Sequence, residues 1–121
     1  LISKSDIISF HCKAPKDGKP MISKEHYKKI KPTAYIINAA RGNIVDEKDL
    51  NEALNENLIA GAAVDVFSKE PAKENILFNN PKVVLTPHIA ASTTEASIVV
   101  AEMVANQLSD FLLNGVKINT V

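Results

Sequence analysis

Arg41, Asp65, Glu70 and His88 bring a guanidinium, two carboxylates and an imidazole to points just beyond short apolar runs. In an open parallel sheet, ligands gather beyond the carboxyl ends of the strands. Applied here, that rule adds His11, Cys12 and the run Asn38-Ala39-Ala40-Arg41-Gly42 to the same edge. A planar guanidinium can hold a carboxylate by two parallel hydrogen bonds. Gly42 after Arg41 allows the backbone a sharp turn there. An imidazole next to a carboxylate is oriented by it and favoured in its charged form. Structural alternatives stand beside these readings: Arg41 could pair with Asp65 or Asp46, and a single His is often an ordinary surface or core residue.

Other chemistries find no support. A zinc site needs clustered Cys and His, whereas His11, His26 and His88 are dispersed and Cys12 is the one cysteine, so no metal is expected. No Gly-x-Ser-x-Gly nucleophile elbow is present. Gly18, Gly42, Gly61 and Gly115 never fall at the Gly-x-Gly-x-x-Gly spacing that cradles a pyrophosphate.

Runs rich in β-branched residues predict the positioning elements. Strands are expected over 7–11, 34–39, 60–67 and 83–86, and their near-continuous hydrophobicity predicts a parallel sheet covered on both faces. Ser23 can cap a helix over 24–30 that stops before Pro32. Asp46 opens a second over 47–58, with Leu50, Leu54 and Leu58 on one face. Ser92 and Glu95 have capping-box spacing, and a helix of about five turns runs from there to Leu113, with Gly115 as its terminator. Its wide apolar stripe, from Ala96 to Leu112, is expected to be core. The alternation of strands and helices implies an α/β layer architecture.

The chain has 121 residues, 45% of them apolar, enough for a core of one domain. Fourteen basic residues balance fourteen acidic ones, which argues against a nucleic-acid partner, since such a protein needs a basic surface to displace counterions. Charge is still uneven: 1–31 hold eight Lys against three acids and 42–80 three Lys against eight acids, read as solvated faces that cancel within one fold. The longest uncharged stretch, 83–94, is too short and polar to span a bilayer, so no membrane contact is expected. A lone cysteine fits a reducing, cytoplasmic compartment.

Three stretches, Ile37-Asn38-Ala39-Ala40-Arg41-Gly42-Asn43-Ile44-Val45-Asp46-Glu47, Gly61-Ala62-Ala63-Val64-Asp65-Val66-Phe67 with Glu70-Pro71, and Leu85-Thr86-Pro87-His88-Ile89, closely resemble the D-isomer-specific 2-hydroxyacid dehydrogenases. The resemblance covers essentially the whole chain, in order and at family spacing. His88 through Ala96 looks most like the D-3-phosphoglycerate dehydrogenase branch, which usually has Gly where Ala90 stands. The fold implied is a Rossmann-like parallel sheet, the second half of an NAD-binding domain, followed by a long C-terminal helix. Residues 1–89 would form that half domain. Residues 90–121 would be a helix and tail returning to a substrate domain. Leu1 would start within a helix leading to the first strand.

The resemblance also implies roles. Arg41 would bind the substrate carboxylate and polarise the 2-oxo group, His88 would exchange the proton on the substrate oxygen, and Glu70 would hold the imidazole. NAD would be the cofactor, with Asp65 holding the nicotinamide carboxamide. His11, Cys12, Ala39, Ala40, Arg41, His88, Ala90 and Ala91 would line the cofactor site, largely through backbone. Lys13 and Lys16 depart from the family's usual Pro and Thr. The implied reaction is hydride transfer between nicotinamide and a D-2-hydroxy or 2-oxo acid, with D-3-phosphoglycerate in serine synthesis as the first candidate. Glyoxylate, hydroxypyruvate and D-lactate are the alternatives, and an NAD-sensing co-repressor is the alternative without catalysis. The full-length protein is expected to be a homodimer or tetramer. The glycine fingerprint and ribose-recognising acid lie upstream in the family, so the 121-residue chain alone is expected to be inactive.

Overall fold

The computed structural model describes residues 1–119; the last two residues of the expected C-terminal tail lie outside that range. It separates into two compact units, residues 1–88 and the residues from Ile89 onward. The first unit holds β1 (Ile7–Phe10), α1 (Lys24–Tyr27), β2 (Tyr35–Asn38), a 3-10 turn (Gly42–Ile44), α2 (Glu47–Asn55), β3 (Gly61–Val64) and β4 (Val83–Leu85). The second holds α3 (Thr94–Asn114). Residues 2–4 form a turn, closed by the Lys4 N–H on the Leu1 carbonyl at 3.0 Å, rather than the expected helix.

All three strand pairings are parallel and the order is β1-β2-β3-β4. When strands add in sequence order with crossovers of one hand, the helices between them fall on one face. α1 and α2 accordingly pack together, and beneath them lies a core of Ile8, Phe10, Tyr27, Ile36, Leu50 and Leu54. Ile7, Tyr35 and Val84, on the opposite side of the strand alternation, are exposed. The expectation of a sheet covered on both faces is therefore corrected for this unit, which supplies helices for one face only.

The helices also end differently from the sequence reading. α1 stops at Tyr27, and i to i+3 bonds from Lys29 to His26 and from Ile30 to Tyr27 replace its last turn. The Asp46 carboxylate caps α2 by accepting the Lys48 and Asp49 N–H groups. Asn57, in the left-handed region at φ 58°, ends α2. The Leu58 N–H reaches the Ala53 carbonyl at 2.8 Å and the Asn57 N–H the Leu54 carbonyl at 3.3 Å, the Schellman pattern. Leu58 thus follows the helix instead of belonging to it.

The connection from β3 to β4, residues 65–82, has no helix and is tied to α2 by side chains. Asn80 donates to Asn51 at 2.8 Å, and Lys82 donates to the Leu54 carbonyl at 2.7 Å and to Asn57 at 2.6 Å. In the second unit, Thr93 caps α3 by accepting the Ala96 N–H at 3.1 Å, one residue after the expected Ser92. Gly115, at φ 67°, ends it as expected. No residue of α3 is buried, and Val104, Leu108 and Phe111 are about half exposed, so within its own unit the expected core stripe is covered no further than by the tail residues Val116 and Ile118. α3 is also long and apolar enough to cross a bilayer. It is not an uncharged stretch, because Glu95, Glu102 and Asp110 interrupt it.

Candidate active site

Strand register sets the site. Phe10, Asn38, Val64 and Leu85 stand level across the sheet. The residues that follow them, His11, Ala39, Asp65 and Thr86, therefore leave from one edge. Asp65 is 5% exposed and accepts the Thr86 hydroxyl.

His88 is placed by that edge. Its N–H donates to the Asp65 carbonyl at 2.8 Å, and its φ of 57° turns the chain through the left-handed region, where a side-chain-bearing residue is uncommon. Its Nδ1 lies 2.6 Å from Glu70 Oε2, while Glu70 Oε1 accepts the Phe67 N–H at 2.9 Å. The Phe67 N–H first, and His88 second, hold the Glu70 carboxyl below its ordinary value. Because that value is lowered on folding, Glu70's contribution is fully present above the ordinary carboxylate range and is lost as pH falls through the lowered value. With Glu70 ionised, Nδ1 is the donor by hydrogen-bond assignment, which leaves Nε2 as the atom that can exchange a proton.

Arg41 is held by a different device. Asn38, only 1% exposed, donates from Nδ2 to the Arg41 carbonyl at 2.9 Å and accepts the Ala40 N–H on Oδ1 at 3.3 Å, closing the chain after β2 into a fixed turn. Arg41 Nη1 donates to the Ala40 carbonyl at 2.6 Å. Of the two structural partners considered for Arg41, Asp46 caps α2 and Asp65 takes Thr86. Gly42 is required for close approach rather than for a sharp turn: a Cβ there would lie 2.0 Å from the Phe67 carbonyl oxygen. That contact seats the Arg41 turn against the loop segment that leads from β3 to Glu70. Arg41, Glu70 and His88 line one cleft of about 260 Å³ with Ala14, Val66 and Phe67. A larger cleft, about 590 Å³, adjoins it at Glu70 and His88 and is walled by Phe67, Phe78, Leu85 and Pro87. Asn38 stood in the sequence motif, but its part in fixing Arg41 had no periodicity to announce it.

The remaining expected residues are placed as follows. His11 and Cys12 are exposed beyond β1; His11 Nε2 meets Ser9 Oγ at 2.8 Å and Cys12 Sγ meets Met21 Sδ at 3.6 Å. Ala39 and Ala40 are half-buried beyond β2. Ala90 and Ala91 belong to the second unit and are exposed. Among the described residues no group of three or more His, Cys, Asp or Glu could hold a metal. The donor set fits a nicotinamide: Ala39 and Ala40 put no bulky side chain on the edge, and Asp65 offers a carboxylate at the end of β3.

The sequence pattern of the D-isomer specific 2-hydroxyacid dehydrogenase, NAD binding domain, matches residues 1–90. The chain belongs to this family. As a 2-hydroxyacid dehydrogenase domain it is 48% identical over 111 residues to a glyoxylate reductase of Thermofilum pendens, covering 89% of this chain and 32% of that protein. It is 45% identical over 113 residues to a D-3-phosphoglycerate dehydrogenase of Synechocystis, covering 93% of this chain and 20% of that protein. The dehydrogenase domain thus spans a third or less of these relatives. A solved glyoxylate reductase from Paecilomyes thermophila superposes with a TM-score of 0.85 at 32% identity, over 97% of this chain and 36% of that one. An NADPH-dependent glyoxylate/hydroxypyruvate reductase from Sinorhizobium meliloti, in complex with NADP and malonate, gives 0.84 at 27% identity, over 99% and 38%.

Proposed function

We propose that the full-length protein is a cytoplasmic, NAD-dependent D-2-hydroxyacid dehydrogenase, and that this chain supplies its carboxylate clamp and its proton-transfer pair. The observation that carries the reading is the 2.6 Å contact between His88 and Glu70 in a cleft shared with Arg41. When bound, the nicotinamide supplies the hydride, and the protein supplies orientation and charge. Arg41 holds the substrate carboxylate in a fixed plane and draws electron density from the 2-oxo group. His88 Nε2 gives the proton to the substrate oxygen in reduction and takes it in oxidation. Glu70 keeps the ring in place through Nδ1. Asp65, with the backbone of Ala39 and Ala40, holds the carboxamide. His11, Cys12, Ala90 and Ala91 complete the cofactor site through backbone.

D-3-phosphoglycerate is the first substrate candidate, favoured by the Ala91-Ser92-Thr93-Thr94-Glu95-Ala96 run. Reduction of glyoxylate is the second, favoured by the 48% identity to a glyoxylate reductase. The second unit returns to a substrate domain, where α3 finds cover for its apolar surface, and the assembly is a homodimer or tetramer. Full-length protein with NAD and, in turn, D-3-phosphoglycerate, D-glycerate and D-lactate, and with NADH or NADPH and glyoxylate, separates the candidates. Turnover of D-3-phosphoglycerate above the others is expected. Glyoxylate reduction alone would move the assignment to the second reading, and binding of dinucleotide without turnover of any acid would make the protein a sensor instead of an enzyme.

A further inference from the structure

The loop that carries Glu70 has no secondary structure of its own, yet the carboxylate it presents to His88 must keep its place. Glu47, the first residue of α2, reaches both sides of that loop. Its Oε1 accepts the Ser68 N–H at 2.7 Å, and its Oε2 accepts the Ser68 hydroxyl at 3.0 Å and the Asn75 Nδ2 at 2.9 Å. Ser68 lies two residues before Glu70 and Asn75 five residues after it, so one carboxylate ties the loop to α2 on either side of Glu70. A Glu in the first turn of a helix is ordinarily explained by the helix dipole. That account predicts a solvated carboxylate, not one with three donors from a segment more than twenty residues away.

We propose that Glu47 is a positioning residue for proton transfer: by clamping Ser68 and Asn75 it fixes the Phe67–Glu70 turn, and through that turn the His88 ring. This rests on the assignment of His88 and Glu70 under the proposed function. Arg41 has a hold of its own from Asn38, in addition to the Gly42 contact with Phe67, so loss of Glu47 falls first on the proton-transfer half of the cleft.

The test is steady-state turnover by the full-length enzyme of whichever acid, D-3-phosphoglycerate or glyoxylate, the wild type turns over faster. Glu47→Ala is expected to lower kcat about tenfold, since small misplacements of a reacting group are costly, while KM for that acid stays within about twofold. Introduced into Glu70→Gln, the same substitution is expected to lower kcat no further, because two residues acting through one path are non-additive. Asn75→Asp, which sets a like charge against Glu47 from the loop side and leaves α2 untouched, is expected to behave the same way if Glu47→Ala does not fold. Wild-type kcat in both single variants, or an undiminished loss in the Glu70→Gln background, would overturn the proposal. Wild-type turnover of Glu70→Gln itself would instead remove the underlying assignment of the pair.

Discussion

The two units of this chain are made from similar apolar material and use it oppositely. In the first, Leu50, Leu54 and Ile36 are wholly enclosed beneath α1 and α2. In the second, Val104, Leu108 and Phe111 sit on an equally regular helix and remain about half exposed. Both helices have a side-chain cap at the start and a left-handed residue at or just after the end. Local helix chemistry is therefore complete in each, and what separates them is whether the same unit brings strands and a second helix to the apolar side. Every residue proposed to act on the substrate lies in the enclosed unit, where a packed core can hold a side chain to a fraction of an ångström.

That contrast can be broken or sharpened by measurement. The largest effect is expected at His88: His88→Gln in the full-length enzyme should lower kcat by roughly 10²–10⁴-fold with little change in dinucleotide affinity, and unchanged turnover would remove the site from the enclosed unit. Arg41→Lys should come next, raising KM for the 2-oxo acid and lowering kcat/KM by about 10²-fold, because an ammonium cannot form the two parallel bonds; wild-type kinetics would show that the fork does not hold the carboxylate. Chemical denaturation of the 121-residue chain then compares the units directly. Leu54→Ala should cost about 2–5 kcal/mol and Leu108→Ala within about 0.5 kcal/mol, and equal losses would mean that the two surfaces are not different after all. The smallest effect belongs to Tyr27, 1% exposed, whose hydroxyl is buried without a hydrogen-bond partner among the described residues. Burial pushes its pKa up strongly. Tyr27→Phe should leave stability unchanged or raise it by about 1 kcal/mol; a clear loss would point to a partner for the hydroxyl.

Much of this was legible in the sequence, for reasons that differ by element. The four strands and the starts of α1 and α2 follow from apolar runs and from Ser23 and Asp46, local signals that the fold leaves intact. The meeting of Arg41, Glu70 and His88 followed from the strand-end rule, because parallel register delivers successive strand ends to one edge. What escaped depends on contacts distant in sequence. Gly42 read as a turn residue and proved to be a point of contact with the Phe67 backbone. Glu47 read as the opening residue of a helix, while its bonds go to Ser68 and Asn75. Asn57 ended α2 earlier than the Leu50, Leu54, Leu58 spacing suggested, since hydrophobic spacing does not record backbone handedness. The one-sided cover within the first unit was hidden as well, because continuous apolar strands read the same whether or not that unit itself supplies helices for the second face.

The level row of Phe10, Asn38, Val64 and Leu85 separates where the chemistry stands from how long the connections are. Arg41 and His88 each follow closely on a strand end, at Asn38 and Leu85, so loops other than the clamped one that carries Glu70 can change length with little effect on the distances among Arg41, Glu70 and His88. Gly18 marks one such place, at a loop tip where an added Cβ would meet nothing within 4 Å. A residue gained or lost inside β3 would act differently. It would turn the inward side chains outward and carry Asp65, with the His88 N–H that depends on it, off the edge together. The sheet works here as a ruler with four marks, and the chain can wander freely only between them.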